Sequence, residues 1–157
     1  MNWNSMIKTT GTIEEIGERL DALSHGERVR AVRTITGASQ ALLWEMGEGT
    51  EVTFDAMVPD DLPPLTPVIH YGKNSLPDLS SFEKRFCRPA NGDDLLYGYN
   101  EGVTRPFVGP GYFVVRKTPA SSKGAIVVDY YETPPEKPAS WPDIAGKASG
   151  IPAVVYG

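Results

Sequence analysis

The distribution of proline divides this 157-residue chain into two parts of different character. None of the fourteen prolines occurs before Pro59, so the first 58 residues lack the residue that most strongly interrupts helices. The remainder contains all fourteen, and proline-rich connections favour strands, turns and loops over long helices. The sequence therefore predicts a helical N-terminal part followed by a β part.

Three helices are predicted in the N-terminal part. Thr12 followed by Glu15, and Ser24 followed by Glu27, are capping-box pairs, whose side chains satisfy the free amides at a helix start. Apolar residues then recur at helical spacing: Ile13, Ile16, Leu20 and Leu23; Val29, Val32 and Ile35; and Leu42, Leu43 and Met46. Because short helices are marginal alone in water, we expect them to pack on the sheet that follows.

Five or six strands are predicted in the β part. They cover residues 66–71, 81–88, 95–100, 112–117 and 124–132, with an edge strand at 153–156. The alternation over 81–88 is typical of a half-buried strand, and a helix of similar length is the alternative. Gly109, Pro110 and Gly111 suit a type II turn before the next strand. Since the connections are too short for the helical crossovers of parallel strands, an antiparallel meander is favoured.

These elements predict an α+β fold: short N-terminal helices packed on a curved antiparallel β-meander, in the form of a half-barrel or small barrel. A chain of this length can bury a core without disulfides or metal. We predict one domain, 1–157, with a helical part at 1–49 and an antiparallel β part at 50–133. The proline-rich tail at 134–157 is expected to lack regular structure apart from the edge strand.

Charge and cysteine content restrict the partners. Fifteen Lys and Arg against twenty Asp and Glu give a net charge of −5, which disfavours nucleic acid as a partner. Cys87 is the single cysteine, so an intrachain disulfide and a CxxC motif are both excluded. No apolar run approaches the ~20 residues of a membrane helix, and residues 1–8 do not resemble a signal peptide. We expect a cytoplasmic protein that binds no membrane.

Motifs for cofactor chemistry are missing from the sequence. It has no phosphate loop, dinucleotide fingerprint, HExxH or nucleophile elbow. His25 and His70 are too few for a histidine-rich metal site, and the acids in residues 45–61 do not have calcium-loop spacing. We therefore predict neither a cofactor nor a metal site.

Polar and aromatic side chains in the β part are candidates for a ligand pocket. Asp129 lies in an apolar run, where an unpaired buried carboxylate is costly; exposure to solvent or pairing with an arginine is the alternative. Tyr97 and Tyr99 flank Gly98, and a strand glycine indicates a bulge or a close approach, with core packing as the alternative. Arg105 suits a bidentate grip on a carboxylate or phosphate. The candidate ligand-binding residues are Tyr97, Tyr99, Asn100, Arg105, Asp129, Tyr131 and His70.

Two further groupings of residues have both a functional and a structural explanation. Cys87 and His70 would supply a thiolate and its base, although a free cysteine usually behaves as a small buried hydrophobe. Lys73, Lys84 and Arg85 form a basic neighbourhood that scattered solubilising charge explains, with an anion site as the alternative.

The leading functional hypothesis is a small-molecule-binding module, of unknown ligand, with a pocket in the curved sheet. Its alternative is a protein-interaction or homo-oligomerising structural module, such as a homodimer. The third hypothesis is a cofactor-independent enzyme that uses Asp129, His70 or Cys87.

Overall fold

The structure, a computed structural model, describes residues 2–74, 80–103, 105–118 and 126–144. The helices are α1 Trp3–Thr9, α2 Ile13–Asp21, α3 His25–Thr34, α4 Gly37–Met46, α5 Phe54–Met57 and α6 Arg105–Val108. The strands are β1 Val68–Lys73, β2 Ser81–Cys87, β3 Leu96–Glu101, β4 Tyr112–Lys117 and β5 Ile126–Asp129. The predicted α+β order, helices followed by an antiparallel sheet, is confirmed.

The sheet is a meander in which each strand pairs with the next along the chain, in the order β1-β2-β3-β4-β5. The register is antiparallel: Lys84 faces Asn100, Gly98 faces Phe113, and Val114 faces Asp129. Within the described strands the order is linear and the sheet is not closed, so the predicted small barrel is wrong and the open form is correct.

The chain divides into two compact units. The first comprises Met1–Thr50 with Tyr71–Ser81, and the second comprises Glu51–His70 with Phe82–Gly157. The prediction of a single domain stays a prediction.

The helical unit begins its helices where the capping residues predict. The Thr12 hydroxyl accepts a hydrogen bond from the Glu15 amide at 3.3 Å. The Glu27 carboxylate accepts from the amide and the hydroxyl of Ser24, at 3.1 and 2.5 Å, and these bonds lower the pKa of Glu27. Apolar side chains from these helices form the core of this unit: Ile7, Ile16 and Ile35, with Met6, Leu20, Leu42, Leu43 and Met46 packed against them.

Three helical segments were not predicted, and each is short. In α1 the Asn2 side chain accepts from the Ser5 amide, and in α5 the Thr53 hydroxyl accepts from the Ala56 amide. Residues 105–108, which precede the predicted turn, form the single turn α6. Four- to seven-residue helices carry too little periodic pattern to be recognised in a sequence.

Strand β5 is shorter than predicted and ends where a side chain replaces the strand hydrogen bonds. The Asp129 carboxylate accepts from the Tyr131 amide at 2.8 Å, an Asx-type turn that bends residues 130–132 out of the strand. Residues 124–125 and the predicted edge strand at 153–156 lie outside the described residues.

The sheet of the second unit has an apolar cluster on each face, because alternate side chains of a strand point to opposite sides. We call one the Phe113 face and the other the Tyr99 face. The Phe113 face contains Phe54, Val58, Phe86, Leu96, Phe113 and Val115. The Tyr99 face contains Cys87, Tyr97, Tyr99, Tyr112, Val114 and Trp141. Trp141 comes from the proline-rich tail, whose described residues 134–144 form no helix or strand, as predicted.

Gly98 is required where the Phe113 ring crosses β3. A Cβ at this position would lie 2.5 Å from Cζ of Phe113 and 2.7 Å from the carbonyl oxygen of Arg85. The predicted close approach at Gly98 is therefore present, and the approaching group is an aromatic ring of the protein itself.

Candidate functional site

The aromatic side chains of the Tyr99 face are packed against one another. The ring centre of Tyr99 lies 5.0 Å from that of Trp141 and 5.4 Å from that of Tyr112. The Tyr99 hydroxyl donates to Glu101 at 3.2 Å, and the Tyr112 hydroxyl donates to the Pro142 carbonyl at 2.5 Å. Burial raises the pKa of both tyrosines. Their rings and hydroxyls are thus already engaged within the protein.

The charged groups beside this face are paired. Arg85 donates to Glu83 at 2.9 Å, and Arg105 donates through Nε to Glu101 at 2.7 Å. Glu101 also accepts from the Gly102 amide. Each arginine therefore has a carboxylate of its own, and Arg105 does not need a ligand to satisfy its charge.

The sequence-predicted ligand residues divide between the two faces. Tyr97 and Tyr99 belong to the Tyr99 face and are 3% and 1% exposed. Asn100 points to the other side of β3, where it bonds Lys84. The His70 ring lies on the Phe113 face, 5.0 Å from the Phe86 ring, with Nε2 2.7 Å from the Met57 carbonyl oxygen.

The remaining predicted residues lie at the edges of these clusters. Arg105 is in α6 and pairs with Glu101. Asp129 faces Val114 across the strands and accepts from the Tyr131 amide, and the Tyr131 side chain is 70% exposed. The seven candidates do not converge on one place.

Cys87 and His70 do not form a nucleophile and its base. Cys87 is fully buried on the Tyr99 face, whereas His70 contacts the Phe113 face. Burial raises the pKa of the Cys87 thiol to about 12, so the side chain stays protonated at neutral pH. Cys87 acts as a small apolar residue of the core.

A polar cluster on the Phe113 face is the strongest candidate for a functional site. The Lys84 ammonium donates to Asn100 Oδ1 at 2.7 Å and to the Tyr130 hydroxyl at 2.5 Å. Asn100 Nδ2 donates to the same hydroxyl at 3.1 Å. The Lys84 nitrogen also lies 4.8 Å from the ring centre of Phe113 and 5.2 Å from that of Tyr130. We call Lys84, Asn100 and Tyr130 the Lys84 cluster.

Lys84 differs from the other described cations of its unit. The described part of the second unit contains seven Lys and Arg side chains, Lys84 included. The other six lie within 4.0 Å of a carboxylate: Arg85, Arg88, Arg105, Arg116, Lys117 and Lys137. Lys84 has no carboxylate partner at that distance among the residues that the structure describes, although it is half-buried. Taking a cation partly out of water without a counter-ion is unfavourable, and neutral oxygens and aromatic rings offset only part of that cost.

The Lys84 cluster retains hydrogen-bond donors. Two acceptors engage Lys84, so one of its three ammonium hydrogens has no acceptor in the described part of the chain. One of the two Asn100 amide hydrogens likewise has no acceptor among the described residues. Phe82, two residues before Lys84 and on the same side of β2, is partly exposed, as is Tyr130. The arrangement offers one positive charge and two donors beside accessible aromatic surface.

Part of this cluster was visible in the sequence. Alternation puts Phe82, Lys84 and Phe86 on one side of β2, and a lysine inside an apolar stripe is unusual. The convergence with Asn100 and Tyr130, which are 16 and 46 residues away, depends on the register of several strands.

Neither similarity to known proteins nor a group of metal ligands in the described part of the chain indicates a function for this protein. No family model matches the chain, and neither the curated proteins nor the solved structures give a match. Within residues 2–74, 80–103, 105–118 and 126–144, no three His, Cys, Asp or Glu side chains are grouped to hold a metal ion. No helix in these ranges has the length and apolar content needed to cross a membrane.

Proposed function

We propose that this protein binds a small organic acid, with the ligand's carboxylate seated on Lys84. The observation that carries the proposal is the contrast among the cations of the second unit. Six described side chains are neutralised by carboxylates of the protein, and the half-buried Lys84 is not. A ligand anion would supply the missing charge.

The number of charges and donors favours a carboxylate over a phosphate. One ammonium group balances the single charge of a carboxylate, and the remaining hydrogens of Lys84 and Asn100 match its two oxygens. A phosphate monoester carries about −1.5 to −2 charges at neutral pH and three acceptor oxygens. Such groups are generally held by several donors, such as arginine forks or helix N-termini.

The accessible rings favour a ligand with an apolar or aromatic body. Tyr130 contacts Lys84, and Phe82 lies two residues before Lys84 on the same side of β2. Both aromatic residues are partly buried, whereas Phe113, whose ring centre lies 4.8 Å from the Lys84 nitrogen, is fully buried. Ligand sites commonly combine apolar walls with a few polar groups that fix orientation. Benzoate is therefore a suitable probe, and acetate tests the carboxylate alone.

The role of Asn100 and Tyr130 is to hold the ammonium in place. Asn100 Oδ1 and the Tyr130 hydroxyl accept two of the Lys84 hydrogens, which directs the third toward the ligand. Asn100 was among the predicted ligand-binding residues, and we retain it. We also retain the predicted cytoplasmic location, which suits a fully buried free thiol at Cys87.

Titration calorimetry with benzoate, acetate and inorganic phosphate tests the proposal. We expect saturable binding of benzoate, weaker binding of acetate and the weakest binding of phosphate. Lys84→Met keeps the length of the stem without the charge and should weaken benzoate binding by at least about tenfold, or about 1.4 kcal/mol.

The matched control is Lys117→Met. Lys117 is a β4 lysine that bonds Asp94 at 2.7 Å, so its loss should leave the benzoate dissociation constant unchanged. The proposal fails if benzoate does not bind the wild-type protein, or if both lysine variants bind it as well as the wild type does.

A further inference from the structure

The helical unit has a surface that the proposed ligand site does not explain, around Trp44 on α4. The Trp44 side chain is 84% exposed, although Leu42, Leu43 and Met46 of the same helix pack into the core. Tryptophan is the residue most enriched at the energetic centres of protein interfaces, because it buries a large area with few rotatable bonds. An exposed Trp beside well-packed neighbours indicates a contact surface.

The surroundings of Trp44 are acidic. Glu45 and Glu48, one and four residues after Trp44, are exposed. Neither of these two glutamates lies within 4.0 Å of a Lys or Arg nitrogen among the described residues. A surface that meets Trp44 should therefore be basic.

The same unit also exposes a basic counterpart on α3. Arg30 and Arg33 are exposed, and neither has a carboxylate within 4.0 Å in the described part of the chain. Their separation of three residues puts both on one side of α3, and it equals the separation of Glu45 and Glu48. Arg33 lies over the Tyr71 ring, 5.8 Å from its centre, which supports the guanidinium from behind.

We propose that the Trp44 surface docks on α3 of a second copy of this chain. Trp44 supplies the buried anchor, while Glu45 and Glu48 of one copy pair with Arg30 and Arg33 of the other. The chain carries both complementary surfaces, which is why we assign a second copy rather than an unrelated basic protein. The residues of this surface, Trp44, Glu45, Glu48, Arg30 and Arg33, are all distinct from those of the Lys84 cluster.

Charge reversal with mixing tests the pairing directly. Sedimentation of the wild-type chain at low salt should show reversible self-association that weakens as salt rises. Glu45→Arg/Glu48→Arg and Arg30→Glu/Arg33→Glu should each be monomeric. An equimolar mixture of the two variants should associate again, because the reversed charges are complementary. A mixture that stays monomeric overturns the pairing, as does a wild-type chain that stays monomeric at millimolar concentration.

The contribution of Trp44 is tested with a matched aromatic control. Trp44→Ala should weaken self-association by about tenfold or more, whereas Tyr131→Ala, which removes an exposed ring of the other unit, should leave it unchanged. Equal association constants for the two variants overturn the assignment of Trp44.

Intrinsic fluorescence gives a readout on the unmodified chain, because Trp3 and Trp141 are only 6% and 3% exposed. Quenching by acrylamide therefore reports mainly on Trp44. It should fall as protein concentration rises, and quenching that is independent of concentration contradicts the proposal.

Discussion

The two faces of the sheet differ in the partners of their buried and half-buried polar groups. On the Tyr99 face, hydroxyls and arginines find partners within the chain: Tyr99 bonds Glu101, and Arg85 bonds Glu83. On the Phe113 face, the hydrogen-bond acceptors of Lys84 among the described residues are the neutral oxygens of Asn100 and Tyr130. A charge that is paired within the chain needs no outside partner, whereas a half-buried charge without a counter-ion in the described part of the chain is a candidate for a role beyond folding. The aromatic residues of a sheet are therefore a poor guide to a ligand site unless the pairing of the nearby charges is also known.

The largest effect is expected from Gly98→Ala, which tests how tightly the Phe113 face is packed. The new methyl group would overlap the Phe113 ring and the Arg85 carbonyl oxygen, and backbone cannot move aside cheaply. We expect a loss of about 4 kcal/mol in the free energy of unfolding, measured with urea, or failure to fold. Gly102→Ala is the control, because nothing lies within 4 Å of a Cβ there. Equal stabilities of the two variants contradict this packing.

The second largest loss of stability is expected at Trp141, which packs on the Tyr99 face. Trp141 is 3% exposed, and its buried indole nitrogen has no hydrogen-bond partner in the part of the chain that the structure describes. Trp141→Ala should cost about 3 kcal/mol in the free energy of unfolding, through the lost contacts with Tyr99 and Tyr112.

Trp141→Phe separates packing from polarity at the same position. It keeps an aromatic ring and removes the unsatisfied N–H, so we expect a cost within about 1.5 kcal/mol. If Trp141→Phe is as destabilising as Trp141→Ala in urea unfolding, the indole N–H is satisfied in solution by an ordered water.

A smaller effect follows from the Cys87 thiol on the Tyr99 face. Its pKa is raised to about 12 in the folded protein by burial, against about 8.5 in an unfolded chain. Above the unfolded value, the unfolded chain releases the proton and the folded protein keeps it, so stability falls as pH rises toward 12. Relative to Cys87→Val, the wild type should lose about 2 kcal/mol between pH 8 and pH 10. Parallel stability curves for the two proteins would show that Cys87 is accessible to water.

The smallest effect on stability is expected at Lys84. Lys84→Met removes a half-buried charge without stranding a carboxylate, and Asn100 and Tyr130 still bond each other. The free energy of unfolding should change by less than about 1 kcal/mol, or rise, while benzoate binding weakens by at least about tenfold. Arg88→Met provides the contrast, because it leaves Asp55 and the Val58 carbonyl without their donor and should be clearly destabilising. A large destabilisation by Lys84→Met would indicate a structural role.

The sequence predicted the order of the elements better than their contacts. Proline distribution, capping pairs and period-two alternation are local signals, and they gave α2, α3, α4 and the meander of β1 to β5. The short helices α1, α5 and α6 lack enough periodic residues for recognition. Closure of the sheet is set by the distance between its edge strands, which no local pattern encodes.

The candidate site was predictable only in part, because it depends on contacts between residues that are far apart in the sequence. Asp129 looked unusual in an apolar run, and its carboxylate is used by the turn that ends β5. Lys84 has an equally unusual pattern between two phenylalanines, for which the sequence favours scattered charge and leaves an anion site as the alternative. The difference between these residues is whether a nearby group satisfies the charge, and the partners of Lys84 come from β3 and beyond β5.

Binding of a carboxylate at Lys84 can be followed directly by NMR of the lysine side chains during a benzoate titration. In a protein labelled at the lysine ε-carbon, the Lys84 signal should shift saturably. The signals of Lys117 and Lys137, which are paired with Asp94 and Asp143, should stay in place. A Lys84 signal that does not move, or shifts of all three lysines that grow linearly with benzoate, would contradict carboxylate binding at Lys84.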